Sequence, residues 1–201
     1  TGLMDLPNFP GEKLTLGLDN LKTRMEEYYK LGARFCKWRA VVDVRASTED
    51  GIAANMRNLA LYAAIAQQAG IVPMVEPEVL YDGEHLMHET KEVLTNVLTH
   101  LFGELALYRV DLTGVILKTS MVLPGKKSLE KVTDEEVAKE TYEEIPTSKV
   151  AEIIKEYHDV KVTDTLVESY LQLASSNTFS VDPVICELRK YNRLDRLIEN
   201  K

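Results

Sequence analysis

Short apolar runs alternate with long amphipathic segments over residues 19–145, and this alternation restricts the fold more than any other feature. Three of the runs are apolar enough to be strands covered on both faces: RFCKWRAVVDV, IVPMVEPEVL and TGVILKTSMV. A helical segment long enough to cross a sheet separates each run from the next. This order predicts successive βα units on a parallel sheet, an α/β fold with the long strand–helix period of the larger (β/α) barrels.

The segments between and after these strands have helical spacing of apolar residues and typical helix ends. Gly32 and Gly70 follow two of the segments, as expected at a helix C-terminus, and Thr133 and Glu136 form a capping-box pattern before the last one. The predicted helices are LDNLKTRMEEYYKLGA, TEDGIAANMRNLALYAAIAQQAG, HLMHETKEVLTNVLTHLFGEL and VTDEEVAKETYEEI. By contrast, residues 1–18 carry two prolines and several glycines, which predicts a loop.

The composition is ordinary for a globular protein: 45% of the 201 residues are hydrophobic, enough for one large or two small domains. A net charge of -8 argues against nucleic acid as the main partner. No apolar run reaches the roughly 20 residues of a membrane helix and no signal peptide is evident, so we expect a cytoplasmic protein without a membrane partner. Cys36 and Cys186 predict neither a disulfide framework nor a metal site, and His85 and His88 are expected at a solvated helix start.

Charged side chains occur at the carboxyl ends of all three predicted strands, which is where (β/α) barrels carry their catalytic residues. Residues two apart on a strand share a face, so each of the first two strands presents a pair of charges and turns its apolar neighbours towards the covering helices. This charged set consists of Lys37, Arg39, Glu76, Glu78 and Lys118. Spacing alone leaves two interpretations open, a single site lined by all five side chains or a structural cluster of salt bridges.

Lys118 stands at the end of the apolar run GVIL, where a charge is costly unless it is paired or neutralised. Burial favours the neutral amine of a lysine, and a neutral amine is a nucleophile that can form a Schiff base. The simpler interpretation is that the ammonium group reaches past the strand end into water. The residue by itself does not decide between covalent chemistry and a solvated strand end.

Together these motifs resemble the class I fructose-bisphosphate aldolases. GARFCKWRAVV is similar to the fourth barrel strand of that family, GIVPMVEPEVLYDGEH to the fifth strand and its loop, and GVILKTSMVLPG to the sixth strand. TEDGIAANMRNLALYAAIAQQAGIVP resembles the helix between the fourth and fifth strands. The resemblance covers residues 1–145. It implies Schiff-base cleavage of fructose 1,6-bisphosphate, a glycolytic sugar phosphate, to dihydroxyacetone phosphate and glyceraldehyde 3-phosphate, with no cofactor and no metal.

The resemblance also implies a role for each residue of the charged set. Lys118 matches the lysine that forms the Schiff base with the substrate ketone. Glu76 matches the carboxylate that moves protons, and Lys37 matches a lysine beside the Schiff base that stabilises charge. Arg39 matches a cation near the sugar phosphate, and Glu78 matches a supporting carboxylate that positions Lys37.

The resemblance accounts for only part of a barrel, since the family fold has eight strands and residues 1–145 supply about three. No counterpart is expected for the family's first-strand aspartate, third-strand lysine, Ser-Gly-Gly phosphate loop or eighth-strand arginine. We therefore expect a partial (β/α) barrel with weak or absent aldehyde-lyase activity on its own, or one completed by a partner chain or within a homo-oligomer. Thr119-Ser120 stands where many animal members have Pro-Asn and indicates a subtype.

Residues 146–201 follow a different pattern, with apolar stripes at helical spacing. Thr165 and Glu168 form a capping-box pattern, and Asp182-Pro183 is typical of a helix start. The sequence therefore predicts an all-helical segment of no recognised family after residue 145. An alternative function for the whole chain is a non-catalytic helical interaction module fused to an aldolase-derived fragment.

Overall fold

The structure is a computed structural model that describes residues 2–144. The helical segment predicted for residues 146–201 lies outside the described residues. In chain order the elements are β1 (Gly2–Asp5), β2 (Lys13–Leu16), α1 (Leu21–Lys30), β3 (Phe35–Val42), α2 (Glu49–Gln68), β4 (Val72–Val79), α3 (Met87–Leu107), β5 (Ile116–Leu117) and α4 (Asp134–Glu144).

Strands β3, β4 and β5 form a parallel sheet in that order, and α2 and α3 connect the neighbouring strands. β3 and β4 pair along their whole length, from Phe35 opposite Val72 to Val42 opposite Val79. The predicted α/β class and the three parallel strands are confirmed. The four predicted helices are also present, with bounds close to those expected from their end signals.

The third parallel strand is much shorter than predicted, because pairing expected over residues 113–122 is limited to Ile116–Leu117. The reason lies in β4. Its even-numbered amides, such as those of Val72 and Leu80, donate towards the β3 chain, so its odd-numbered amides face β5. Pro77 occupies an odd position and has no N–H group, and the regular ladder to β5 stops there.

The two faces of the parallel sheet differ in chemistry. The face towards α2 and α3 is apolar, and it forms the hydrophobic core together with those helices. Ala40, Val75 and Leu117 from the sheet and Tyr62 and Leu101 from the helices are almost completely buried. The opposite face bears the charged set at its carboxyl end. This is the two-residue alternation that the strand sequences predict.

β1 and β2 form an antiparallel hairpin, so the loop predicted for residues 1–18 is wrong for both strands. The prolines that suggested a loop, Pro7 and Pro10, lie in the connection between the strands, and each strand has only four residues and so gives little pattern. Glu12 fixes the hairpin to the start of α2. Its buried carboxylate accepts hydrogen bonds from the backbone N–H of Thr48 at 3.0 Å and from the hydroxyl of the same residue at 2.7 Å.

The loops that follow β4 and β5 are hydrogen-bonded to each other at the carboxyl end of the sheet. We call this contact, between residues 81–85 and 125–127, the loop junction; in it the N–H of Gly125 donates to the carbonyl of His85 at 2.8 Å. His85 is only 2% exposed, so the solvated position expected for it is wrong, because packing between the two loops covers it. His88 is exposed, as expected.

Helix α4 begins with the predicted capping box, which the structure confirms. The N–H of Glu136 donates to the hydroxyl of Thr133 at 3.2 Å, and the Glu136 carboxylate accepts from the Thr133 N–H at 2.7 Å. The same helix holds the chain that leaves β5, because the N–H of Val122 donates to the hydroxyl of Thr141 at 2.9 Å. The segment after the third strand is thereby tied back to the helical layer.

Candidate active site

The charged face of the parallel sheet brings three of the predicted residues into direct contact. The carboxylate of Glu76, near the carboxyl end of β4, lies between two ammonium groups. Lys118 Nζ is 2.5 Å from Glu76 Oε1, and Lys37 Nζ is 2.8 Å from Oε2. One carboxylate thus bridges lysines from the two chain segments that flank its strand.

The strand register explains this arrangement. Arg39 pairs with Glu76, and β5 pairs with β4 up to Leu117, one level before Glu76. Lys118 therefore follows at the level of Glu76, and residues at one level of a parallel sheet share a face. Lys37 lies two residues before Arg39 on the same face and reaches Glu76 diagonally.

A second ion pair, between Arg39 and Glu78, lies beside the first on the same face. Both side chains are partly exposed to solvent. This pairing differs from the resemblance, which implies that Glu78 positions Lys37; in the structure Glu78 lies against Arg39, and Lys37 lies against Glu76. The charged set is thus divided into a triad, Lys37–Glu76–Lys118, and a separate pair.

Two opposing effects act on the pKa of the Glu76 carboxyl. Burial of the side chain, which is 5% exposed, raises the pKa because it disfavours the charged form. Hydrogen bonds and positive charge from Lys118 and Lys37 lower it, and the net pKa lies below its ordinary value. Glu76 is therefore ionised at neutral pH, as a group that accepts a proton must be.

The two lysines of the triad differ in exposure. The Lys118 side chain is 29% exposed and that of Lys37 is 49% exposed, so Lys118 is the more enclosed amine. An ammonium group 2.5 Å from an ionised carboxylate is within reach for proton transfer, and the amine that results can attack a carbonyl. The second ammonium group can stabilise negative charge that develops nearby. The triad has the parts that Schiff-base chemistry requires.

Ser120, which by resemblance only marks a subtype, makes a contact with β4 that the sequence patterns do not predict. The Ser120 hydroxyl accepts a hydrogen bond from the N–H of Val79 at 2.9 Å and donates to the carbonyl of Val79 at 3.2 Å. The signal that could have revealed it is Pro77, which leaves the end of β4 without regular backbone pairing to β5. The serine joins the chain just after Lys118 to β4.

A cavity of about 480 Å³ lies beside β3, at an edge of the parallel sheet. The hairpin, α1 and α2 contribute to its walls, and its apolar lining includes Met25 and Trp38. The ring of Trp38 lies 5.3 Å from that of Tyr62, which also lines the cavity. Lys37 and Arg39 are part of the lining, so the cavity borders the charged face.

Three further observations concern residues 2–144. These residues contain no group of three or more His, Cys, Asp or Glu side chains placed to hold a metal ion. No helix among them is long and apolar enough to cross a membrane. Cys36 is a free thiol, and burial raises its pKa, so the thiol stays protonated at neutral pH.

Comparison with known families decides the relationship of the chain. The model of the family described as glycolytic fructose-bisphosphate aldolase class-I matches residues 1–152, more than half of the sequence. The chain belongs to the class I fructose-bisphosphate aldolase family. The resemblance drawn from the strand motifs is therefore confirmed.

Curated relatives of this family are similar to the chain over 70% of its length. A probable fructose-bisphosphate aldolase class 1 of Xanthomonas campestris pv. campestris is 50% identical over 142 residues, which are 70% of this chain and 42% of that protein. The cytosolic fructose-bisphosphate aldolase 5 of Arabidopsis thaliana is 46% identical over 142 residues, 70% of this chain and 39% of that protein. The chain thus spans less than half the length of these relatives.

A solved structure of fructose-bisphosphate aldolase from Plasmodium falciparum, in complex with TRAP and a small-molecule inhibitor, is similar in fold. It superimposes with a TM-score of 0.71 at 30% sequence identity, covering 94% of this chain and 64% of that chain. The similarity supports the arrangement of parallel strands and helices described above. Aldolases of this family are (β/α) barrels, in which parallel strands alternate with helices.

Proposed function

We propose that the chain carries the Schiff-base part of an aldolase site, which cleaves fructose 1,6-bisphosphate to dihydroxyacetone phosphate and glyceraldehyde 3-phosphate. The observation that carries the proposal is the contact of the Lys118 amine with the Glu76 carboxylate, at the carboxyl end of a parallel sheet. The family relationship supports it, because the family model matches residues 1–152 and the relatives similar over 142 residues are named fructose-bisphosphate aldolases.

In this proposal Glu76 moves protons for Lys118 throughout the reaction. The Lys118 ammonium gives a proton to Glu76, and the free amine attacks the C2 carbonyl of the substrate to form a carbinolamine. Glu76 returns the proton to the C2 hydroxyl, which leaves as water, and a protonated imine remains. Glu76 then removes the proton of the C4 hydroxyl; the C3–C4 bond breaks, its electron pair moves into the imine to form an enamine, and glyceraldehyde 3-phosphate departs. Protonation at C3 and addition of water release dihydroxyacetone phosphate and restore the amine.

The other members of the charged set have supporting roles in the proposal. Lys37 is close enough to Glu76 to act beside the Schiff base, where its ammonium group stabilises oxygen atoms that become negative. Arg39 presents a planar guanidinium group on the same face, about half exposed, which suits the oxygens of a phosphate group. Glu78 holds that guanidinium group in place.

We further propose that the three parallel strands are part of a (β/α) barrel that a partner chain or a second copy completes. In this proposal residues 1–145 form the aldolase-like unit. β3 is an edge strand of the described sheet, where the Thr15 hydroxyl of the hairpin already bonds the Arg39 carbonyl, and the cavity beside it supports this proposal because a further chain segment there would cover its apolar lining. A cytoplasmic location belongs to the same proposal, and the cytosolic relative from Arabidopsis supports it.

Borohydride trapping tests the assignment of Lys118. The full chain is incubated with dihydroxyacetone phosphate and sodium borohydride, which reduces an imine to a stable secondary amine, and the modified peptide is found by mass spectrometry. We expect a single main adduct on Lys118, because of the two amines beside Glu76 it is the closer and the more enclosed one.

Two substitutions serve as the comparison for this experiment. Lys118→Met should remove the adduct, whereas Lys126→Met, which changes a lysine of the loop junction outside the triad, should leave it intact. If the wild-type chain gave no adduct, or if adducts were spread evenly over exposed lysines, Lys118 would be a strand-end lysine and the proposed function would be wrong.

A further inference from the structure

The hydroxyl group of Ser120 makes an unusual contact with the end of β4. It accepts from the N–H of Val79 at 2.9 Å and donates to the carbonyl of the same residue at 3.2 Å. A single side chain thus occupies both backbone groups of one residue on the neighbouring strand. Because Val79 closes β4, this contact fixes the strand end from the side of β5.

Regular pairing between β4 and β5 stops at the level of Lys118. The N–H of Lys118 donates to the carbonyl of Val75 at 2.9 Å, which is the last step of the parallel ladder. In the next step the residue after Glu76 would donate to the carbonyl of Lys118, but that residue is Pro77, which has no N–H group. The N–H of Lys118 is therefore bonded to β4, whereas its carbonyl has no N–H group opposite it at Pro77.

The Ser120 hydroxyl ties the chain to β4 again one rung beyond the missing one. It lies two residues after Lys118 and bonds to β4 two residues after Pro77, so the chain is tied to β4 on both sides of the lysine. The Lys118–Glu76 contact of 2.5 Å lies between these two attachment points. Without the hydroxyl, the segment after Leu117 keeps one attachment to β4 at this level, and the lysine can move relative to Glu76.

We propose that Ser120 is a positioning residue of the site, which holds Lys118 in contact with Glu76 by tying the chain to β4 beyond the point where Pro77 interrupts the backbone pairing. The inference rests on the proposed function for its effect on catalysis. The effect of Ser120 on the contact between the Lys118 amine and the Glu76 carboxylate can be measured even if the chain forms no Schiff base. Ser120 touches neither of the two groups and acts through the backbone that carries Lys118.

The experiment compares the reactivity of Lys118 in the wild-type chain, in Ser120→Ala and in Ser120→Thr, which keeps the hydroxyl. Competitive acetylation of the folded chain at neutral pH, read by mass spectrometry, reports how freely Lys118 reacts relative to the exposed Lys22. We expect Ser120→Ala to raise this ratio about threefold, because the amine leaves the ion pair more often, and Ser120→Thr to restore it. Borohydride trapping of dihydroxyacetone phosphate at Lys118 should fall about tenfold in Ser120→Ala, because the amine and its proton acceptor are misplaced.

Ser47→Ala is the matched control. This serine also accepts a backbone hydrogen bond, from the N–H of Asp43 at 2.9 Å, but it lies in the turn after β3, whereas Lys118 follows β5. It should leave both readouts at wild-type values. A general loss of stability would instead raise the acetylation of many lysines together, so the ratio of Lys118 to Lys22 separates positioning from folding.

The possible outcomes distinguish this inference from the proposed function. An unchanged acetylation ratio in folded Ser120→Ala would overturn the role of Ser120, whatever the trapping shows. A raised ratio with no trapping in the wild-type chain would support the role of Ser120 and contradict the aldolase proposal. If Ser120→Ala fails to fold, Ser120→Cys provides the same test, since the thiol has nearly the same shape but bonds the backbone weakly.

Discussion

At the scale of the residue, the carboxylate of Glu76 forms ion pairs with two lysines, Lys37 and Lys118. Glu76→Gln keeps the size of the side chain but leaves two ammonium groups facing each other without a counter-charge. We expect the free energy of unfolding at pH 7 to fall by about 1–2 kcal/mol, less than for a fully buried pair because both lysines are partly exposed. Urea unfolding measures the change. Glu78→Gln is the matched control and should cost less, because its ion pair is more exposed.

The pH dependence of this effect follows from the pKa of Glu76, which lies below its ordinary value of 4.5 in the folded chain. A carboxyl group with a lowered pKa contributes stability above the pKa of the unfolded chain, and the contribution is lost as the pH falls through the folded pKa. The difference between wild type and Glu76→Gln should thus be full near pH 7 and shrink below about pH 4.5. A difference of undiminished size in the acid range would contradict the ion-pair explanation.

Much of the charged set could be predicted from the sequence, and the part that could not depends on register. Alternation along a strand places Lys37 and Arg39 on one face and Glu76 and Glu78 on one face, and they lie so in the structure. The partner of each carboxylate was not predictable, since a shift of the register would exchange the ion pairs. The register is set by packing against α2 and α3, which local sequence does not specify.

At the scale of the element, the loop junction depends on the absence of a side chain at Gly125. A Cβ atom at this position would lie 2.5 Å from the carbonyl oxygen of Gly83 and 2.9 Å from the backbone nitrogen of His85. Both neighbours are backbone atoms, so the overlap can be relieved only if the loops after β4 and β5 separate. Gly125→Ala is therefore expected to lower the free energy of unfolding by about 2 kcal/mol in thermal or urea unfolding.

Gly114→Ala provides the comparison for this substitution. There the nearest atom to a new Cβ is the side-chain nitrogen of Gln67 at 3.2 Å, and a side-chain end can shift where backbone cannot. We expect a clearly smaller loss of stability than for Gly125→Ala. Equal losses in the two variants would mean that the close approach of the loops does not limit stability.

The elements themselves were predicted with uneven success, for identifiable physical reasons. The helices and the two long strands have enough residues for their periodicity to stand out, and they occur where expected. The hairpin was missed because its short strands are held by a distant contact, between Glu12 and Thr48. The length of β5 was overestimated because its own sequence is apolar, whereas the limit on its pairing is Pro77 in the neighbouring strand.

At the scale of the whole molecule, the charged face supplies the triad proposed to form the Schiff base and one guanidinium group, that of Arg39, proposed to contact phosphate. A sugar bisphosphate has two phosphate groups, and their binding positions the reacting bond. We expect the chain alone to cleave fructose 1,6-bisphosphate far more slowly than the longer relative from Xanthomonas campestris, while still trapping dihydroxyacetone phosphate at Lys118. A coupled assay of glyceraldehyde 3-phosphate release measures the comparison. Equal turnover numbers would show that the chain needs no further phosphate-binding residues.

The prolines of β4 also determine where the sheet opens most easily. Pro73 and Pro77 both occupy positions that face β5, so Val75 and Val79 are the odd-numbered residues of β4 that can donate across that boundary. Eight residue pairs join β3 to β4, whereas two join β4 to β5. Local opening begins where the fewest hydrogen bonds must break, so amide hydrogens at the β4–β5 boundary should exchange with solvent before those at the β3–β4 boundary. Glu76 thus stands on the firmly paired strand and Lys118 directly follows the weakly paired one, so local opening of the β4–β5 boundary should break the contact between these two side chains before β3 and β4 separate.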